Sequence, residues 1–160
     1  AAGLELKVNR VISRVEEYTD TSSVLGQKGR MMSFQKTKER LIKLDDGDSV
    51  QSGETLEIRI DIDSKNDYEY VLVEDFKGAG FEPIDGRSGW KNFGGKYAYA
   101  EFCEKKTAIF IRELSRGAYS LTYRVRVETP GKIHVLPSRI EAMYAPRLRG
   151  NSDEHRLTVK

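Results

Sequence analysis

Between Tyr119 and Glu128 the chain alternates with a period of two: Tyr119, Leu121, Tyr123, Val125 and Val127 share one face, and Ser120, Thr122, Arg124, Arg126 and Glu128 share the other. Successive side chains of an extended strand point to opposite sides, so this stretch reads as a half-buried β-strand. At a rise of about 3.3 Å per residue it crosses a whole sheet, and its aromatic and β-branched face needs a second layer to cover it. Leu56, Ile58, Ile60 and Ile62 repeat the pattern against Glu57, Arg59, Asp61 and Asp63. Two such segments predict an all-β protein, an immunoglobulin-like antiparallel β-sandwich with long connecting loops, whose function lies in surfaces and loops.

The rest of the chain fits that expectation with one interruption. Leu4, Leu6 and Val8 alternate with Glu5, Lys7 and Asn9, and a weaker continuation through Val11 and Val15 completes an opening strand. Residues Glu16 to Lys38 hold neither a period of two nor one of 3.6. They read as an irregular, mobile connection or a hairpin excursion, with a helix from Ser33 to Leu41 as the competing reading. Tyr68 to Glu74 reads as a strand, either central and buried on both faces or covered by a loop on one. The glycine-rich stretch from Lys77 to Gly95, with Phe81, Trp90 and Phe93, predicts a long inter-sheet connection pinned by its own aromatics. Tyr97 to Cys103, Thr107 to Arg112 and Ile133 to Leu136 supply further strands, and short turns between them favour antiparallel neighbours. Arg156 to Val159 is expected at a sheet edge. About eight strands in one domain covering 1–160 suit a sandwich of this kind.

Composition narrows the function. No apolar run approaches the roughly 20 residues that a membrane-spanning helix needs. The chain opens Ala1-Ala-Gly-Leu4, which is expected of a mature or excised fragment. Cys103 is the sole cysteine, so an internal disulfide, a thiolate zinc cluster and a CxxC redox pair are excluded; it is expected in or beside a strand as a small hydrophobe. The formal charge of +2, with both signs interspersed, gives little pull toward nucleic acid.

Chemistry-bearing residues do not assemble into a familiar pattern. His134 and His155 lack a third ligand at zinc spacing. Asp45, Asp46 and Asp48 lack the following glycine and glutamate of an EF-hand and read as a solvated turn. Asp61, Asp63, Asp67, Glu69, Glu74 and Asp75 could in principle pair for glycoside chemistry, but Asp61 and Asp63 share the face opposite the isoleucines and read as an exposed acidic stripe. The sequence contains no GxSxG elbow, Walker loop or dinucleotide fingerprint. Arg124 and Arg126 point away from Tyr119 and Tyr123, which separates the cation from the stacking ring and argues against oligonucleotide binding. The expectation is a non-enzyme without cofactor or metal.

Several stretches together carry a resemblance: Val71-Leu-Val-Glu-Asp75, Gly78-Ala-Gly-Phe-Glu-Pro83, Leu114 with Gly117 and the Tyr119 strand, Glu128-Thr-Pro-Gly131, Leu136-Pro-Ser138 and Glu141-Ala-Met-Tyr-Ala-Pro146. In this order the chain resembles the carboxy-terminal, receptor-binding-like, MG10-type domain of bacterial-type alpha-2-macroglobulins, from about Leu41 to Gly150. It departs where relatives often carry an Arg-Asp-Asp-Arg-like run, having Glu104-Lys-Lys-Thr107 instead. The family's reactive Cys-x-x-Gln belongs to a separate domain and is absent, since Cys103 is followed by Glu104-Lys-Lys106.

The resemblance implies a non-catalytic domain of a protease inhibitor, extracellular or periplasmic, that packs on the thioester domain of the same parent chain. There it would shield the thioester until a protease cuts elsewhere, so that proteases are indirect partners. Met143 and Tyr144 are the preferred contact candidates, with Phe81 and Trp90 behind them. The competing structural expectation is that Met143 and Tyr144 plug the end of the sandwich, with Pro146 stopping the strand just beyond. The alternative class is an autonomous extracellular adhesion or carbohydrate-binding sandwich that uses its aromatic loop.

Overall fold

A computed structural model describes residues 5–26 and 28–160, so Leu4 of the expected opening strand lies outside the described residues. Among the described residues the chain forms β1 (Leu6–Leu25), β2 (Met31–Lys43), β3 (Ser49–Val50), β4 (Thr55–Ser64), β5 (Tyr68–Phe76), β6 (Phe81–Pro83) and β7 (Gly89–Asn92). It continues with β8 (Tyr97–Phe102), β9 (Lys106–Leu114), β10 (Gly117–Val127), β11 (Gly131–Val135), β12 (Arg139–Ala142), β13 (Ala145–Asn151) and β14 (His155–Val159). One sheet has the order β2-β1-β4-β10-β6, a second β13-β12-β5-β9-β8-β7, and a three-stranded sheet β11-β14-β3 adjoins them. The architecture is an all-β, immunoglobulin-like sandwich, as the alternation predicts.

The two strongest sequence signals lie side by side. β4 and β10 pair antiparallel with Ile60 opposite Leu121, Ile58 opposite Tyr123 and Leu56 opposite Val125. Their apolar faces meet Val71 and Val73 of β5 and Ile109 and Ile111 of β9, and none of these aliphatic side chains is more than 2% exposed. Each such burial is worth roughly 1.5–3 kcal/mol against exposure.

β1 keeps even positions inward: Leu6, Val8, Arg10 and Ile12 are all buried. Val11 and Val15 belong to the other face, so the expected continuation runs out of phase. Arg10 therefore enters the core as a cation, and the structure neutralises it. Its Nη1 donates to Asp75 Oδ1 at 2.8 Å and to Ser138 Oγ at 3.2 Å, and its Nη2 donates to the Val135 carbonyl at 3.0 Å. Ser138 Oγ donates to the same Asp75 oxygen at 2.6 Å, and the Tyr123 hydroxyl donates to the other. Burial first, then the Asp75 charge and that hydrogen bond, push the Tyr123 hydroxyl well above its ordinary pKa.

Several expectations need correction. For residues 16–38 the structure takes the hairpin excursion over the irregular connection, with Gln27 outside the described residues, and Ser33 to Leu41 is not helical: β1 and β2 pair antiparallel in unbroken register from Ser13 opposite Lys43 to Leu25 opposite Met31. Beyond Arg14 this hairpin leaves β4, and most of its residues from Tyr18 onward are exposed on both faces, which is why no period of two is selected. β14 is central, between β11 and β3, not at an edge. β5 is central, between β12 and β9, but it is buried on one face only, with Tyr70 exposed and Leu72 half-buried on the other. The 77–95 segment does cross between sheets, and it places β6 beside β10 and β7 beside β8 on the way. Pro146 does not end a strand: it lies in β13 where the register shifts opposite Glu141 and Ala142, a bulged position that suits a residue without an N–H. Cys103 is exposed in the turn after β8 and is not packed as a small hydrophobe.

Candidate functional site

The outer face of the six-stranded sheet carries an exposed aromatic surface. Its local cause is an inverted alternation in β8: Ala98 and Ala100 point inward, buried to 1% and 0%, and the large rings of Tyr97 and Tyr99 point outward. Cross-strand register extends the surface into a row. Leu72 of β5 faces Phe110 of β9, Phe110 faces Tyr99 of β8, and Tyr99 faces Trp90 of β7. Trp90 stacks on Tyr97 with centroids 5.5 Å apart and meets Tyr99 edge-on at 5.7 Å, distances typical of favourable aromatic pairs. Tyr70, Trp90, Tyr99, Phe110, Arg112 and Met143 line a groove of ≈ 410 Å³ in this surface.

Met143 and Tyr144 form the tight turn between β12 and β13, where Ala142 pairs with Ala145. The turn is anchored to β5: the Met143 N–H donates to the Tyr70 carbonyl at 2.9 Å, and the Tyr70 ring meets the Tyr144 ring edge-on at 5.3 Å. Tyr70 itself has φ = 56°, a conformation that a bulky side chain adopts only under constraint from its surroundings. Tyr144 is 81% exposed, so it does not plug the sandwich end.

The structure thus brings three of the four sequence candidates, Met143, Tyr144 and Trp90, to the outer side of one sheet. The fourth, Phe81, is corrected: it is 3% exposed in β6 and belongs to the core, where it cannot touch a partner without opening the domain. Tyr70, Tyr97, Tyr99 and Phe110 were not among the sequence candidates. The Tyr97-Ala-Tyr-Ala100 alternation, small residues against large rings, is the signal that marks two of them.

The polar candidates are occupied structurally. Asp75 is buried against Arg10, and Glu74 binds Lys106. Asp61 accepts from Ser120 at 2.7 Å and pairs with Arg59 at 3.1 Å. Asp46 pairs with Arg156 at 2.8 Å, and the hydrogen bonds and charge of Arg156 lower its pKa to about 2. His134 meets Glu154 at 2.8 Å. His155 has a buried Nε2 without a partner among the described residues, and burial, then the Arg10 charge, lowers its pKa. Among the described residues no group of three His, Cys, Asp or Glu side chains could hold a metal. No helix of the described residues is long and apolar enough to cross a membrane.

Comparison with known proteins agrees with the fold. A family model described as Bacterial Alpha-2-macroglobulin MG10 domain matches residues 30–147. The structure of Salmonella alpha-2-macroglobulin reacted with methylamine superposes with a TM-score of 0.67 at 21% identity, covering 98% of this chain and 9% of that one. Native alpha-2-macroglobulin from Escherichia coli, spanning domain MG7 to the C-terminus, gives 0.63 at 20% identity, covering 98% of this chain and 23% of that one. A non-cellulosomal cohesin from Archaeoglobus fulgidus gives 0.51 at 9% identity, over 72% of this chain and 87% of that one. At these identities the likeness is one of fold. A protein of Dictyostelium discoideum, Circularly permutated Ras protein 2, is 26% identical over 105 residues, which is 66% of this chain and 2% of that protein. The chain therefore spans a small part of each macroglobulin and of the Dictyostelium protein.

Proposed function

Because the chain belongs to the bacterial alpha-2-macroglobulin MG10 domain family, we propose that it is the non-catalytic, receptor-binding-like carboxy-terminal domain of an alpha-2-macroglobulin-like protease inhibitor. Family membership supports a role carried by protein–protein contacts. In the proposed role the domain packs on the thioester domain of the same parent chain, extracellular or periplasmic, and keeps water and stray nucleophiles from the thioester. Cleavage of the parent elsewhere by a protease would break the contact.

The observation that carries the reading is the state of Tyr144. Its ring is 81% exposed, yet its turn is held by the Met143 hydrogen bond to Tyr70, and its ring by the Tyr70 ring. A large ring presented to solvent on an ordered turn contributes little to its own domain, but it loses little freedom when a partner covers it. Met143 and Trp90, 45% and 56% exposed, extend the same apolar side, and Arg112 gives it a polar margin. Aromatic anchors with a polar rim are the usual centre of an interface. Excluding water from a reactive acyl group needs such a fitted cover.

The test is Tyr144→Ala in the full-length parent, with thioester loss followed in the absence of protease. Loss should accelerate, and circular dichroism of the variant should be unchanged. An unchanged rate with the fold intact removes Tyr144 from the shielding role.

A further inference from the structure

Beyond Arg14, β1 parts from β4 and runs on with β2 alone, from Val15 opposite Leu41 to Leu25 opposite Met31. At about 3.4 Å per residue this arm reaches roughly 35 Å. Two-stranded ribbons are marginal in water, and the shaft of this one is braced by polar pairs. Arg40 holds Glu16 at 3.1 Å and lies over the Tyr18 ring at 5.3 Å, Lys38 holds Asp20 at 2.5 Å, and Arg124 of β10 holds Glu39 at 2.8 Å.

The outer end is built differently. Val24, Leu25, Met31, Met32 and Phe34 are 49–72% exposed. Residues opposite one another in register share a face, so Val24, Met32 and Phe34 project from one side of the ribbon and Leu25 and Met31 from the other. Between Asp20 and Glu39 the sequence carries Lys28, Arg30, Lys36 and Lys38 and no carboxylate. A flat protein partner would cover one face of the ribbon. An end that is apolar on both faces and purely cationic fits a medium that surrounds it, with acyl chains around the apolar side chains and anionic phosphates around the cations, whose long stems can snorkel to them. The apolar pairs nearest the turn lie within about 7 Å of it along the strands, comparable with the roughly 5–10 Å that interfacial elements penetrate.

We propose that the end of the β1–β2 arm is a membrane-interface anchor that docks on an anionic lipid surface. The test is cosedimentation of the 160-residue chain with vesicles of phosphatidylcholine and phosphatidylglycerol, against vesicles of phosphatidylcholine alone. Binding is expected to the anionic vesicles, to weaken in high salt, and to fall about fivefold for each of Lys28→Ser and Arg30→Ser. Leu25→Ser combined with Phe34→Ser should abolish it; both side chains are exposed, and an unchanged melting temperature verifies the fold. Failure to bind either vesicle overturns the proposal, as does equal binding to both or undiminished binding by the double variant. A photo-crosslinking side chain introduced at Leu25 in the parent protein should label lipid; a crosslink to another segment of the parent would instead assign the arm to an intramolecular socket.

Discussion

Replacing Asp75 by alanine should destabilise the domain more than any surface change. Asp75 is 2% exposed and accepts three hydrogen bonds, from Arg10, Ser138 and Tyr123. Without it the Arg10 guanidinium, whose side chain is 1% exposed, keeps only the neutral Val135 carbonyl and Ser138 hydroxyl. Breaking a buried pair from one side costs about 3–5 kcal/mol because it strands the other charge. With a urea slope of about 2 kcal/mol/M, the midpoint should fall by roughly 2 M. The melting temperature should fall by about 10 °C, at roughly 2–4 °C per kcal/mol for a domain of this size. The cycle takes Asp75→Leu and Arg10→Met as its single variants and the variant carrying both as its corner, which removes both charges and should recover most of the loss. A loss below about 1 kcal/mol for Asp75→Ala, or a double variant as unstable as the summed singles, would refute the assignment of this pair as the polar staple of the core.

Tyr123→Asp sets a second carboxylate beside Asp75 on the inward face of β10, and no cooperative thermal transition should survive at neutral pH; a melting temperature equal to the parent's would mean that the inward face is misassigned. Phe81→Ala should cost about 3–5 kcal/mol in a urea titration, and Trp90→Ala only about 1 kcal/mol, since one ring is buried and the other, 56% exposed, loses only its contacts with Tyr97 and Tyr99. The folded pKa of Asp46, about 2, is depressed below its ordinary 3.8, so its contribution to stability is present above that ordinary value and is lost as pH falls toward 2. Carboxyl NMR should place the Asp46 midpoint near 2, and Arg156→Ala should move it back toward 3.8.

Much of the sandwich is legible because burial acts on alternate positions. β4 and β10 each have one face against the core and one against water, and their sequences record it directly. The arm of β1 and β2 has water on both sides, so no face is selected, and a regular ribbon reads as irregular. Arg10 occupies an inward position in the Leu6, Val8, Ile12 series, and its partner Asp75 lies 65 residues away, so only folding shows why a cation is tolerated there. The candidate site divides along the same line. Tyr144 and Trp90 stand out as aromatic residues in turn and loop sequence, and Tyr97 and Tyr99 are betrayed by their alanine neighbours. Phe81, in an equally loop-like context, becomes core because β6 adds it to the edge of β10. The left-handed backbone of Tyr70 has no signature in sequence, since tyrosine is not a residue type that favours that region.

The place of β14 bears on when the molecule can become itself. It pairs antiparallel with β11 and parallel with β3, so two strands separated by about half the chain share a neighbour that is translated after both. A nascent polypeptide that has released everything through β13 still holds Val50, Ile133 and Val135 beside an open slot, with apolar side chains and unpaired amides open to solvent or to a chaperone. The last sheet closes only when His155–Val159 emerges. Assembly of this domain is therefore an all-at-once event that waits for β14, and stalling before that strand would yield an adhesive intermediate, not a smaller stable fold.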